Sequence, residues 1–218
     1  MKSTLDKRSA LLRLAKVRQS TRRPGYKCIG AYHGGVYECD FVSPYTITAG
    51  NVDAEIMVML QDWASDDDLK HPLDESSATL GYDPCAPTNK KLIKLLHTTF
   101  GVALRDTYAT NLFPFIKLGR RSKKIPPKDM LAAAQQFALP QIRMVDPKLV
   151  ICLGKDTFNA VREACEFSPS QYLDSAIENP FCVGTTRVWC QTHTGRLSNR
   201  GPFERVLNDW RKMKEDVY

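Results

Sequence analysis

Four short apolar runs, each ending on a polar residue or a glycine, constrain this chain more than any other feature. Glu55–Leu60 runs into Gln61 and Asp62, Thr107–Thr110 into Asn111, Lys148–Leu153 into Gly154, and Arg187–Thr192 into His193. Runs that stay apolar for several residues suit strands covered on both faces. The segments between them read as helices. Strand–helix alternation of this kind predicts an α/β protein: a three-layer α/β/α domain around one central, mainly parallel sheet. Ligands of open α/β sheets bind outside the carboxyl ends of the strands. The same placement would deliver a carboxylate, an amide and an imidazole to one edge.

The connecting segments carry their own signals. Residues 3–18 have the spacing of an amphipathic helix with Leu5, Leu11, Leu12 and Ala15 on one side. Residues 24–50 hold Pro24-Gly25 and Gly34-Gly35 and predict a hairpin leading into the sheet. Thr88 is placed to cap a helix over 89–100 that Gly101 would end. Pro126-Pro127 would open a helical region reaching about Val145, with Pro140 breaking it in two. Further helices are expected over 155–165 and from Pro202 to about Glu215. The organisation expected is a basic helix-and-hairpin extension over 1–50 and a single α/β/α domain over 51–218.

Charge is unevenly spread. The net charge is +7, yet residues 1–27 alone hold nine Lys and Arg against the single acid Asp6, so the rest of the chain is close to neutral. A second basic run, Lys117, Arg120, Arg121, Lys123, Lys124 and Lys128, contains no acid. Such runs are either solvated surface or phosphate contacts. No apolar stretch approaches the roughly 18 residues of a membrane helix, so no membrane partner is expected. The seven cysteines show no C-x-x-C spacing, which argues against a zinc ribbon or a redox pair and suits a reduced, cytoplasmic setting.

Each candidate site residue has a plain alternative. Asp62 follows an apolar strand, where an unpaired buried charge is costly; it is a cap or surface residue, or a functional acid. Asn111 offers two donors and an acceptor, suited to reading a nucleobase edge or to satisfying backbone where a strand ends. His193 is a satisfied core imidazole or a catalytic one. Gly154 marks a tight turn into a helix N-terminus. The loop Thr194-Gly195-Arg196-Leu197-Ser198-Asn199-Arg200 sets a leucine among Gly, Ser and Arg. It could lie on a phosphate backbone with Leu197 as a wedge, or fold with Leu197 packed beneath it.

Together these motifs resemble the uracil-DNA glycosylase superfamily. Leu60-Gln61-Asp62 is similar to the start of G-Q-D-P-Y-H, and His193-Thr-Gly-Arg-Leu197-Ser198 to H-P-S-P-L-S. Thr110-Asn111, Ile125-Pro126 and Pro147-Lys-Leu-Val-Ile-Cys-Leu-Gly154-Lys155 resemble the T-N, proline-led helix and P-K-x-I-x-x-L-G-K pattern of its iron–sulfur branches. The likeness covers about residues 52–215.

The resemblance implies catalytic roles for Asp62, on the attacking water, and His193, on the departing base. It implies base contacts from Gln61, Asn111, Trp63, Ala64 and, as the stacking aromatic, Tyr82. It implies DNA contacts from Gly154, Lys155, Gly195, Arg196, Leu197, Ser198 and Arg200. Trp63-Ala64 stand where the family has P-Y, and Thr194 where it has proline. The cysteines of the iron–sulfur branches have no counterparts, with Phe115 and Ala132-Ala133-Ala134 in those regions, so neither metal nor cofactor is expected. The implied activity is excision of uracil or a related deaminated base from DNA by a monomer. A catalytically silent nucleic-acid binder of the same fold, and an unrelated α/β enzyme acting on nucleotides, are the alternatives.

Overall fold

The computed structural model describes residues 3–218, with the side chains of Ser198 and Asn199 outside the description. In chain order the elements are α1 (Thr4–Ser20), β1 (Tyr26–Lys27), β2 (Ile56–Asp62), α2 (Asp66–Leu69), α3 (Glu75–Leu80), α4 (Pro87–Phe100), β3 (Tyr108–Phe113) and β4 (Ile116–Lys117). They continue with α5 (Pro127–Ala133), a π turn (Ala134–Ala138), α6 (Leu139–Val145), β5 (Leu149–Leu153), α7 (Lys155–Ala164), α8 (Leu173–Glu178), β6 (Phe181–Val183), β7 (Thr186–Gln191) and α9 (Phe203–Val217). Among the described residues five strands form one sheet in the order β3-β2-β5-β7-β6. The first four are parallel, and β6 runs antiparallel at the edge.

Side chains alternate across a strand, and the two faces bury different clusters. Met57, Met59, Val150, Cys152, Val188 and Cys190 pack under α1, α5, α6 and α7, meeting Leu11, Leu14, Phe137, Ile142 and Phe158. Ile56, Val58, Leu60, Ile151, Leu153 and Trp189 pack under α4 and α9, meeting Leu92, Leu95, Leu96, Val206 and Trp210. Both faces are covered, which is why the strands read as continuous apolar runs. The registers Leu60↔Asn111, Asp62↔Phe113, Met59↔Cys152 and Leu153↔Gln191 bring the carboxyl ends of four strands level.

Several local expectations are corrected. Residues 26–27 form no hairpin within their own segment; β1 pairs with the distant β4 through Tyr26↔Lys117 and Lys27↔Ile116. On α1, Leu5 and Leu12 face solvent, and the inward face is Leu11, Leu14, Ala15 and Arg18. Arg18 can be buried because Glu38 and the carbonyls of Cys39 and Phe41 hold its guanidinium. Pro140 does not break its helix: a π turn just before it re-registers the hydrogen bonds, and the chain stays helical from α5 through α6. Helix α4 begins with Pro87 at its first position after Ala86, so Thr88 lies inside the helix instead of capping it. Gly101 does end α4 in the left-handed conformation.

Candidate active site at the carboxyl edge

Strand β2 ends on Asp62, whose carboxylate meets the ammonium of Lys117 at 2.8 Å. The Lys117 side chain is 5% exposed and that of Asp62 14%. Lys117 is carried there by β4, held between β1 on one side and a backbone bridge to Ser65 on the other. Its place in a basic run pointed toward phosphate, but its burial depends on pairing with residues about ninety positions earlier. The apolar Leu112–Ile116 segment just before it was the available local signal.

Asn111, on β3 opposite Leu60, is fully buried. Its carbonyl oxygen Oδ1 accepts a hydrogen bond from the Ser43 hydroxyl at 2.5 Å. Its amide nitrogen Nδ2 has no partner among the described residues. A buried donor left without an acceptor costs about 1–3 kcal/mol, so a ligand oxygen there would be met by a donor already desolvated.

Strand β7 leads through Thr192 to His193. The backbone N–H of Gly195 donates to Nδ1 of His193 at 3.0 Å. Nδ1 is therefore the acceptor, and in the neutral ring Nε2 carries the proton. Burial pushes the imidazole below its ordinary pKa, Arg196 and Lys117 push the same way, and Asp62 opposes them. Burial and the neighbouring cations thus favour the neutral ring, in which Nε2 is the donor. Around it, the buried hydroxyls of Thr192 and Thr194 also lack partners among the described residues.

Gly154 ends β5 at φ +100°, a conformation that favours glycine, and a side chain there would meet Cβ of His193 at 3.6 Å. Tyr82 stacks almost parallel on Tyr45, ring centroids 5.7 Å apart. Trp63 donates from its indole N–H to the Gly81 carbonyl at 2.9 Å and meets Tyr37 edge-on. Ala64 is buried in a small cluster with Ile29, Tyr32, Tyr37, Leu69 and Ile116. Gln61 is half-buried.

The expected DNA-contacting residues divide. Gly195 and Arg196 are exposed. Lys155 donates to the Gln171 carbonyl at 2.8 Å. Leu197 is 5% exposed and packs in the apolar cluster under α4 and α9. Arg200 is buried in ion pairs with Asp209 and Asp174. The Ser198 side chain lies outside the described residues. Many N-terminal cations are engaged within the fold: Lys7 with Asp53 and the Val52 and Val145 carbonyls, Lys16 with Asp40, Arg18 with Glu38, Lys27 with Asp66. Among the described residues no group of three or more His, Cys, Asp or Glu is arranged to hold a metal ion, and no helix is long and apolar enough to cross a membrane.

No curated protein sequence matches the chain. The family model of the uracil DNA glycosylase superfamily matches residues 51–213, a span that includes β2, β3, β5, β7 and every strand end described above. With its parallel sheet and its acid, amide and imidazole at one edge, the chain belongs to the uracil DNA glycosylase superfamily.

Proposed function

We propose that this protein is a DNA glycosylase that hydrolyses the N-glycosidic bond of uracil, or a related deaminated base, flipped out of DNA. The observation that carries this reading is the His193 imidazole just past β7, its Nδ1 taken by Gly195 N–H so that Nε2 is left as the donor, on the same sheet edge as the Asp62 carboxylate. Breaking the bond between the sugar C1′ and the base nitrogen leaves the electron pair on the base and positive charge on the sugar. A fixed donor near a base oxygen and a fixed carboxylate near the sugar both stabilise that separation. Asp62 orients the water whose oxygen bonds to C1′ and takes up the proton that the water sheds, while the base leaves with the electron pair of the broken C1′–N bond. His193 donates toward the departing base, and the Asn111 NH₂ holds a keto oxygen on its edge. Extruding the base from the duplex precedes these steps, as the handling of a stacked base requires. Backbone contacts come from exposed cations, with Arg196 beside His193 and Arg120, Lys123 and Lys124 in the basic loop.

A second reading, a nucleic-acid binder without base release, is favoured by one observation: Lys117 already neutralises Asp62 at 2.8 Å. The two separate in one experiment. An oligonucleotide carrying a single uracil is incubated with the protein and treated with alkali. Strand breaks at the uracil position support the glycosylase; salt-dependent binding without breaks supports the binder.

A further inference from the structure

We infer that Ser43, from the segment ahead of the family-matched residues, is a positioning residue that locks the Asn111 amide with its NH₂ toward the ligand, so that the site selects a keto oxygen over an exocyclic amino group on the base. The inference rests on the base-reading role proposed for Asn111.

An asparagine amide can present either its oxygen or its NH₂, and the two arrangements differ only by a half-turn. What decides between them is the partner on the inner side. Here that partner is the Ser43 hydroxyl, 2.5 Å from Oδ1. So short a contact suits O–H···O; an N–H···O bond lies nearer 2.9–3.0 Å. The Ser43 oxygen is itself fixed, because it also accepts the Tyr45 backbone N–H at 3.3 Å. Tyr45 N–H takes one lone pair of the Ser43 oxygen, and Asn111 Oδ1 is the acceptor that the Ser43 hydroxyl proton meets among the described residues. One lone pair of Oδ1 is taken, the other is open, and Nδ2 is buried with no acceptor among the described residues. This combination presents one donor and one acceptor side by side. It matches a keto oxygen beside a ring N–H, and leaves an exocyclic amino group facing another donor.

The segment around Ser43 is built to hold that geometry. Thr46 donates to the Ala109 carbonyl at 2.8 Å, and Ala109 N–H donates to the Ala49 carbonyl at 2.8 Å, which clamps residues 43–49 along β3. The Pro44 carbonyl abuts Gly81, where any side chain would lie 1.8 Å from that oxygen, and Gly81 has φ +79°. The same turn sets Tyr45 flat on Tyr82. Residues ahead of position 51 therefore complete the polar wall of a site whose other groups lie inside the family-matched span.

The test measures binding of the free bases uracil and cytosine to the wild-type protein, Ser43→Ala and Ser43→Thr, with thermal unfolding as a check on folding. Ser43→Ala removes the hydroxyl at nearly constant volume. It is expected to reduce the uracil-over-cytosine preference about tenfold, and Ser43→Thr to restore it. A purely structural role would weaken both bases together and leave their ratio unchanged. An unchanged ratio in a folded Ser43→Ala, or a wild-type protein that binds both bases equally, overturns the inference. Base release from uracil-containing DNA is measured in parallel; its absence with the binding preference intact counts against the glycosylase reading alone.

Discussion

The two edges of the sheet offer a direct comparison. At the amino-terminal edge, between β2, β3, α4 and the C-terminal helix, lies a cavity of about 350 Å³. Its walls include Ile56, Phe100 and Val102, and its rim includes Asn51, Asp53, Glu55, Asp106 and Lys214. Those polar groups are paired. Asn51 donates to the Asp106 carbonyl, Asp53 accepts from Thr4 and Lys7, Glu55 meets Lys148, Asp106 accepts from Ala103 N–H, and Lys214 donates to Thr99. At the carboxyl edge, Asn111 Nδ2 and the hydroxyls of Thr192 and Thr194 are buried with no partner among the described residues. The first edge is a hollow whose rim groups are paired, with the Thr99 hydroxyl beside it buried and unpartnered among the described residues. The second holds donors and acceptors fixed in place ahead of any ligand, which is the condition electrostatic preorganisation requires.

The largest effect that distinguishes the edges is catalytic. Asp62→Asn is expected to lower base release by about 10²–10³, the usual consequence of losing one preorganised group, with DNA affinity nearly unchanged. Single-turnover release and a parallel binding titration check it. Full activity in the variant would remove Asp62 from the mechanism. Lys117→Met sharpens the same point. If the ammonium orients Asp62 for its task, release falls about tenfold, a shift of about 1.4 kcal/mol; if the pair silences the carboxylate, release rises.

Away from both edges the expected effect is on stability. Glu38→Ala leaves the fully buried Arg18 with the Cys39 and Phe41 carbonyls and the Cys39 sulfur, and no counter-charge. Removing one partner of a buried pair costs on the order of 3 kcal/mol. Denaturant unfolding should show that loss, while base release by the folded fraction stays at the wild-type level.

The next effect is a matter of pH. Burial holds His193 below its ordinary value of 6.5. Because the folded value is the depressed one, the stability tied to the neutral ring is fully present above about pH 6.5. It is lost as pH falls through the lower folded value. Base release, which needs the neutral Nε2–H donor, should fall on the acid side with a midpoint below pH 6.5. A profile of kcat/KM against pH reports the free protein's groups. A midpoint at or above pH 6.5 would contradict the role given to this ring.

The smallest effect belongs to the amino-terminal edge. Glu55→Gln breaks an exposed pair with Lys148, worth about 0.5 kcal/mol or less, and should leave base release unchanged. A marked loss of release would mean that the cavity there is coupled to the chemistry.

The parts of this molecule legible in its sequence are those written in local pattern. β2, β3, β5 and β7 announce themselves because both faces are covered, and their ends point to Asp62, Gly154 and His193; β3 runs on to Phe113, so Asn111 lies within it, two residues before its end. β6 gave no such signal: it spans three residues, and Cys182 in its middle is exposed. The inward face of α1 is not legible in the sequence because a buried arginine looks polar until Glu38 is known to lie against it. Lys117 and Ser43 were hidden for a stronger reason. Lys117 is buried by a pairing with β1, and Ser43 reaches Asn111 across 68 positions. Long-range partners of this kind leave no periodicity to read.

The central claim is that the fixed, unmet polar groups of the carboxyl edge, and not the cavity at the amino-terminal edge, receive the base. Each edge has its own reporter, the side-chain amide of Asn111 on one and of Asn51 on the other. The most direct measurement follows both amide signals by nitrogen-15 NMR while free uracil is added. The expected result is a saturable shift of the Asn111 NH₂ and of the His193 ring, with Asn51 unmoved. A shift of Asn51 with Asn111 and His193 unmoved would place the ligand at the other edge and contradict the account.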